Sequence, residues 1–174
     1  MNETIQTLTT RRSIRKYKAE QISDGDLQQI LAAGMNAPSG MSLQPVTMVV
    51  VQDKDTIKQL SAMNAKIMGT TSDPMYGAPT IIVVLTDPEK SRNAWSDACL
   101  VMGNLMNAAA SLSIGSCWIN RAKEEFESPE GKALLQKWGL PTYLVGVGHC
   151  ILGYAAEPPA APKPRKPDFV KFVR

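Results

Sequence analysis

At 174 residues, with 44% hydrophobic and 20% charged side chains, the chain has material for one domain with a proper core, and its balance excludes a disordered or collagen-like protein. A net charge of +3 is too small to make nucleic-acid binding the main business, and no run of roughly 18 apolar residues marks a membrane helix. The start, Met1-Asn2-Glu3-Thr4, lacks the charged and apolar regions of a signal peptide, so a cytoplasmic location is expected.

Ile5 and Leu8 begin a short helix ending near Thr10, which delivers Arg11-Arg12-Ser13-Ile14-Arg15-Lys16-Tyr17 to a loop. Four cations and a hydroxyl in seven residues suit an anion, because guanidinium groups offer paired N–H donors to phosphate or carboxylate. Ile14 gives the segment one apolar anchor. Two readings stand for this stretch, a specific phosphate site or a solvated basic face. Ser23 to Asp26 has the form of a capping box, and Leu27, Ile30, Leu31 and Gly34 follow at helical spacing. The loop at 36–45, with Pro38, Ser39, Gly40, Met41, Ser42, Gln44 and Pro45, either presents N–H groups and hydroxyls to a ligand or is a plain helix-to-strand turn.

Residues 46–51 and 80–85 are short β-branched runs and read as strands buried on both faces. A helix over about 55–65 joins them, and the irregular stretch 66–79 is placed to cover a pocket. The longest helix is expected over 91–113, apolar almost all round, with Met side chains filling core. Its small residues, Ala98, Gly103 and Ala108 to Ala110, allow close approach of another helix, for which a dimer interface is one explanation. Residues 114–119 read as a turn into a strand. Ser128-Pro129-Glu130 opens a further helix closed by Gly139, and 143–153 is the last central strand. Beyond it, 157–167 holds five prolines, cannot be a helix or a central strand, and carries Lys163, Arg165 and Lys166 on an extended arm. The closing residues 168–174 alternate like a strand in need of an edge.

Acid–base candidates are few. The one histidine, His149, sits in a core-strand pattern, and its neighbour Cys150 points to the opposite face. The three cysteines, Cys99, Cys117 and Cys150, are odd in number and set among apolar residues, as buried free thiols are. No second histidine completes a common zinc site, so no metal is expected. An enzyme with this inventory would borrow its chemistry from a cofactor.

Four segments in this order, Arg-Arg-Ser-Ile-Arg-Lys-Tyr, Ala-Pro-Ser-Gly-Met-Ser-Leu-Gln-Pro, Ile-Gly-Ser-Cys-Trp-Ile and Leu-Gly-Tyr before a Pro/Lys/Arg arm, resemble the FMN-dependent nitroreductase family across essentially the whole chain. The resemblance implies an α+β fold, a mostly antiparallel central sheet flanked by helices, assembled as a homodimer with FMN at the interface. It implies one FMN-binding domain over 1–174, with 155–174 an arm wrapping the partner and its terminal strand exchanged in many relatives. By the same resemblance Arg11, Arg12, Ser13 and Arg15 meet the FMN phosphate and ring edge, and Lys163 and Arg165 close on the phosphate from the other side. Pro38, Ser39, Gly40, Met41, Ser42 and Gln44 contact the flavin from the second protomer, Gly115, Ser116, Cys117 and Trp118 run beside the ring, and Asn64 offers a polar ring contact. No side chain is implied as catalytic. NADH or NADPH delivers hydride to the flavin N5, and a nitroaromatic, quinone or similar acceptor then takes its place. Other flavin chemistry on the same fold, or a non-enzymatic polyanion-binding protein, are the alternatives. Val46 departs from the family pattern, where many members carry an aromatic ring.

Overall fold

Capping chemistry starts the helices where the sequence places them. In the computed structural model, which describes residues 1–174, α1 spans Glu3–Thr10 and α2 spans Asp24–Met35. The Ser23 hydroxyl accepts from the Asp26 N–H at 3.1 Å and donates to the Asp26 carboxylate at 2.7 Å, so Ser23 caps the helix and Asp26 returns to its hydroxyl instead of its N–H. Strand β1 (Val46–Val51) leads to α3 (Lys54–Met68), which Asp53 caps by accepting from the Thr56 N–H at 2.8 Å. Then follow β2 (Thr80–Thr86), α4 (Ala94–Ser111), β3 (Gly115–Ile119), α5 (Ala122–Glu127), α6 (Pro129–Lys137) and β4 (Val145–Gly153). Helix α6 begins on a Ser128 cap with proline at its first position. No helix is long and apolar enough to cross a membrane.

The four strands form one sheet in the order β1-β2-β4-β3, every neighbouring pair antiparallel. The α+β expectation is met. Alternate residues feed two cores. Ile81, Val83, Leu85, Cys117 and Ile151 pack with Leu60 and Met63 of α3, Phe126 of α5 and Leu135 of α6. Ile82, Val84, Cys150 and Leu152 pack on the other face with Leu27 and Ile30 of α2 and Met102, Leu105 and Ala109 of α4. A bulge opposite Val84 and Leu85 shifts the β4 register, and this turns Val147 onto the α2/α4 face.

Three expectations change. Strand β1 is not buried on both faces: only Val51 is buried and Val50 is exposed, because β1 is an outer strand with one ladder partner. Helix α4 is covered on one side only. Trp95 and Leu100 are each 47% exposed, since the sheet and α2 take the opposite side and α1, which also meets α4, leaves these two uncovered. Residues 168–174 form no strand; Phe169 and Phe172 lie exposed and the free edge of β1 stays unpaired within the chain.

Helix α5 is absent from the sequence reading. It is only six residues long, and tertiary contacts hold it: a Cβ on Gly146 would strike the Ala122 carbonyl, and one on Gly131 would strike the Glu125 and Phe126 backbone. Backbone cannot step aside as a side chain can. Gly131→Ala is expected to destabilise the fold by about 3 kcal/mol, read from urea unfolding midpoints.

Candidate functional site

Ile14 fixes the basic stretch against the sheet. Its side chain is buried, and its N–H donates to the Ser116 carbonyl at 3.0 Å, with Ser13 and Ser116 forming a parallel bridge. Gly115 makes room for it, because a Cβ there would lie 3.0 Å from the Ile14 Cβ and from the Gly153 carbonyl. Tyr17 bridges to Ala155, the Lys18 N–H donates to the Tyr154 carbonyl at 2.9 Å, and the Tyr17 hydroxyl donates back to the Ile14 carbonyl at 2.7 Å. Burial pushes the Tyr17 phenol far up, so it stays a donor. Residues 13–17 thus start beside Ser116 on β3 and cross to the residues that follow β4, held by two isolated bridges.

The arginines beside this anchor are only partly used. Arg12 Nη1 donates to the carbonyls of Thr9 at 3.0 Å and Arg11 at 2.7 Å, yet Arg12 Nε and Arg11 Nη1 are buried with no hydrogen-bond partner. Ser116 Oγ and Trp118 Nε1 are also buried without partners. Ser116 and Trp118 are two apart on β3 and share a face, and Trp118 pairs across the ladder with Cys150. Burial pushes the Cys150 thiol up to about 12, with Cys117 adding to the rise and Arg11 opposing it. No carboxylate neutralises Arg11 or Arg12. Native folds rarely leave buried polar groups unpaired, and the unpartnered donors of Arg11, Arg12 and Ser116, where the basic stretch meets β3, suit an anionic, hydrogen-bonding guest.

Beside this cluster lies a cavity of about 300 Å³ lined by Arg15, Met68, Tyr76, Cys117, Trp118 and Arg121, among others. Helix α3 runs on to Met68, past the expected end near 65, and Met68 with the irregular residues that follow it supplies one wall. Asp73 holds that wall in shape, accepting from the Ser61 hydroxyl at 2.6 Å and from the N–H groups of Met75 at 2.8 Å and Gly77 at 2.6 Å.

The loop at 36–45 stands elsewhere. Pro38, Ser39 and Gln44 line a separate cavity of about 210 Å³ with Met35, Val46 and Asp97, between α2, β1 and α4. No residue of the basic stretch lines it. Met41, Ser42 and Gln44 have φ of 54°, 55° and 47°, a left-handed conformation costing non-glycine residues about 1–3 kcal/mol each, and Met41 is 90% exposed. The loop is latched by Asp97, whose Oδ1 accepts from the Gly40 N–H at 3.0 Å; its buried Oδ2 has no partner.

Within the chain, then, Arg11, Arg12, Ser13 and Arg15 come together with Gly115, Ser116, Cys117 and Trp118. Pro38 to Ser42 and Gln44 do not join them. Lys163 and Arg165 are exposed on the arm, whose root is tied to the basic stretch by a Lys16–Glu157 ion pair at 3.1 Å. Asn64 is unavailable to a ligand: it is fully buried, its amide donates to the Asn120 carbonyl and the Glu125 carboxylate, and its oxygen accepts from Arg121 Nε. Glu125 also bonds His149 at 2.9 Å, both fully buried, which leaves His149 structural. Asp97, Arg121 and Glu125 carried no sequence signal, being single polar residues without a spaced partner.

The Nitroreductase family model matches residues 8–154. The chain superposes on the crystal structure of a Bacteroides fragilis nitroreductase with bound FMN at a TM-score of 0.91, 31% identical, covering 100% of both chains. A protein of Archaeoglobus fulgidus, provisionally named NADH dehydrogenase/NAD(P)H nitroreductase, is 35% identical over 161 residues, 90% of this chain and 88% of its own. An NAD(P)H-type FMN reductase of Bacillus subtilis is 28% identical over 189 residues, 96% of this chain and 71% of its own.

Asp97→Ala leaves the Gly40 N–H without its acceptor. It is expected to cost about 1–3 kcal/mol in thermal or urea unfolding, and hydrogen exchange should quicken in residues 39–44 before the sheet is affected.

Proposed function

The chain belongs to the nitroreductase family, and from that premise we propose that it is an FMN-dependent oxidoreductase that draws hydride from NADH or NADPH and reduces small oxidised acceptors such as nitroaromatics and quinones. One observation carries the cofactor assignment. The unpartnered Arg11 Nη1, Arg12 Nε and Ser116 Oγ gather where the basic stretch meets β3, and a phosphate satisfies such donors at once. FMN, when bound, supplies the acceptance and donation of hydride, and the protein supplies position and field.

Each segment then has a task. Arg11, Arg12, Ser13 and Arg15 hold the phosphate and ring edge, and the extended backbone of Gly115 to Trp118 backs the ring. Cys117 contributes no acid–base chemistry, since its side chain packs in the α3/α5/α6 core. The second set, Pro38 to Ser42 with Gln44, serves the site of a second protomer, because in its own chain it faces another cavity. The uncovered side of α4, with Trp95 and Leu100 exposed, offers that protomer an apolar face. Residues 155–174 wrap the partner, bringing Lys163 and Arg165 to the phosphate, while 168–174 finds the open edge of β1.

The purified protein is expected to show oxidised-flavin absorption, bleached anaerobically by NADH or NADPH. A colourless protein that stays colourless after incubation with FMN would refute the reading. Deleting residues 160–174 is expected to release FMN and shift the dimer toward monomer in gel filtration, and full retention of both would show that the arm takes no part.

A further inference from the structure

Arg121 breaks two local rules at once. It follows β3 directly and adopts φ 78°, ψ 3°, a left-handed conformation that a non-glycine residue keeps only when its surroundings over-determine it. It is also the N-cap of α5, a place that serine, threonine, asparagine and aspartate fill best, and its side chain makes no capping bond. Ser128, at the same position of α6, does cap, accepting from the Gly131 N–H at 3.0 Å. Glycine or asparagine would serve this backbone better, so what an arginine adds here is its side chain.

That side chain is fixed at one end. Nε donates to Asn64 Oδ1 at 2.9 Å, and Asn64 donates to the Asn120 carbonyl at 2.7 Å and to Glu125, which bonds His149 at 2.9 Å. Asn64, Glu125 and His149 are each fully buried, so the guanidinium rests on interior side chains of α3, α5 and β4. Its two terminal nitrogens make no hydrogen bond or ion pair to protein, and neither is buried.

Arg121 lines the cavity of about 300 Å³ shared with Arg15 and Cys117, residues given above to the flavin. The titratable groups of that lining are Arg15, Asp73, Tyr76, Cys117 and Arg121, two cations against one carboxylate. Asp73 already accepts from the Ser61 hydroxyl and the Met75 and Gly77 N–H groups, and it pairs with neither arginine. Arg15 is exposed, so water screens its charge. Arg121 is the fixed positive charge of the cavity.

We propose that Arg121 tunes the bound flavin: its guanidinium lends the ring a fixed positive charge that favours the reduced, negatively charged flavin over the oxidised, neutral one. The role rests on the flavin assignment made above. A cation already in place needs no reorganisation when the charge appears, and in a partly closed site it acts with less screening than in open water. Flavin electronics respond to charge placed beside the ring nitrogens. The Asn64–Glu125–His149 chain positions the guanidinium.

The test is the midpoint potential of FMN in the holoprotein, read by anaerobic reductive titration against a reference dye at neutral pH. Affinity for oxidised FMN is measured alongside by flavin fluorescence. Arg121→Gln and Arg121→Gly, the latter relieving the strain of φ 78°, should each lower the affinity for reduced FMN relative to oxidised roughly tenfold, a fall of about 30 mV for a two-electron couple. Arg121→Lys, which keeps the charge, should stay close to the wild type. Potentials unchanged or raised in the Arg121→Gln and Arg121→Gly proteins, with only their urea midpoints moved, would overturn the proposal and leave Arg121 a structural residue. Arg121→Lys falling as far as Arg121→Gln would overturn it too, since charge would not be the cause. So would loss of FMN from the variants without a shift in potential, which would make Arg121 an anchor that holds both redox forms alike. A wild type that takes up no FMN would instead refute the flavin reading itself.

Discussion

The seating of Ile14 over Gly115 is the contact on which the site depends. A basic heptad left free would be a solvated face, since exposed cations in water gain little from one another's company or from a passing anion. One buried isoleucine and one backbone hydrogen bond to Ser116 convert it into a segment bridged to β3 whose arginines are partly withdrawn from water. Gly115 is what permits the approach, because any side chain there would meet Ile14 and the Gly153 carbonyl together. From this contact follow the tie of Tyr17 to Ala155, the root of the C-terminal arm beside the basic stretch, and the unpaired donors on Arg11, Arg12 and Ser116.

A second constraint acts from the other side of β3. The buried chain of Asn64, Glu125 and His149 joins α3, α5 and β4 and ends on Arg121 at the wall of the cavity. Buried polar groups are costly unless they find partners, and these side chains are joined by direct hydrogen bonds, with only His149 Nδ1 left without one. Here that rigidity is passed to a partly exposed arginine in a left-handed conformation. The histidine, read from the sequence as part of a core strand, works as an internal strut.

The two halves of the expected site lie on different cavities of one chain. Arg11 to Arg15 and Gly115 to Trp118 share a corner of the sheet, whereas Pro38 to Gln44 belong to the α2/α4 side and hold three left-handed residues against the latch of Asp97. In the proposed dimer a second copy of the chain would unite these halves, and the half-covered α4, the open edge of β1 and the unpaired tail are the surfaces on which it would rest.

The sequence alone determined much of this. Local chemistry was enough for the helix cap at Ser23, the Pro129 helix start, the extended proline arm and the two-faced alternation of β2, because each depends on neighbours within a few residues. The basic stretch and the 115–118 segment were legible as a site through residue types that suit an anion. What the sequence could not hold was anything decided by distant backbone. Helix α5 exists because Gly131 and Gly146 let it be clamped, β1 is half-exposed because it ends the sheet, and Asn64 is lost to any ligand because Glu125 and Arg121 reach it across roughly 60 residues of chain. A polar residue carries no mark of the partner it will meet, and only the packed structure assigns one.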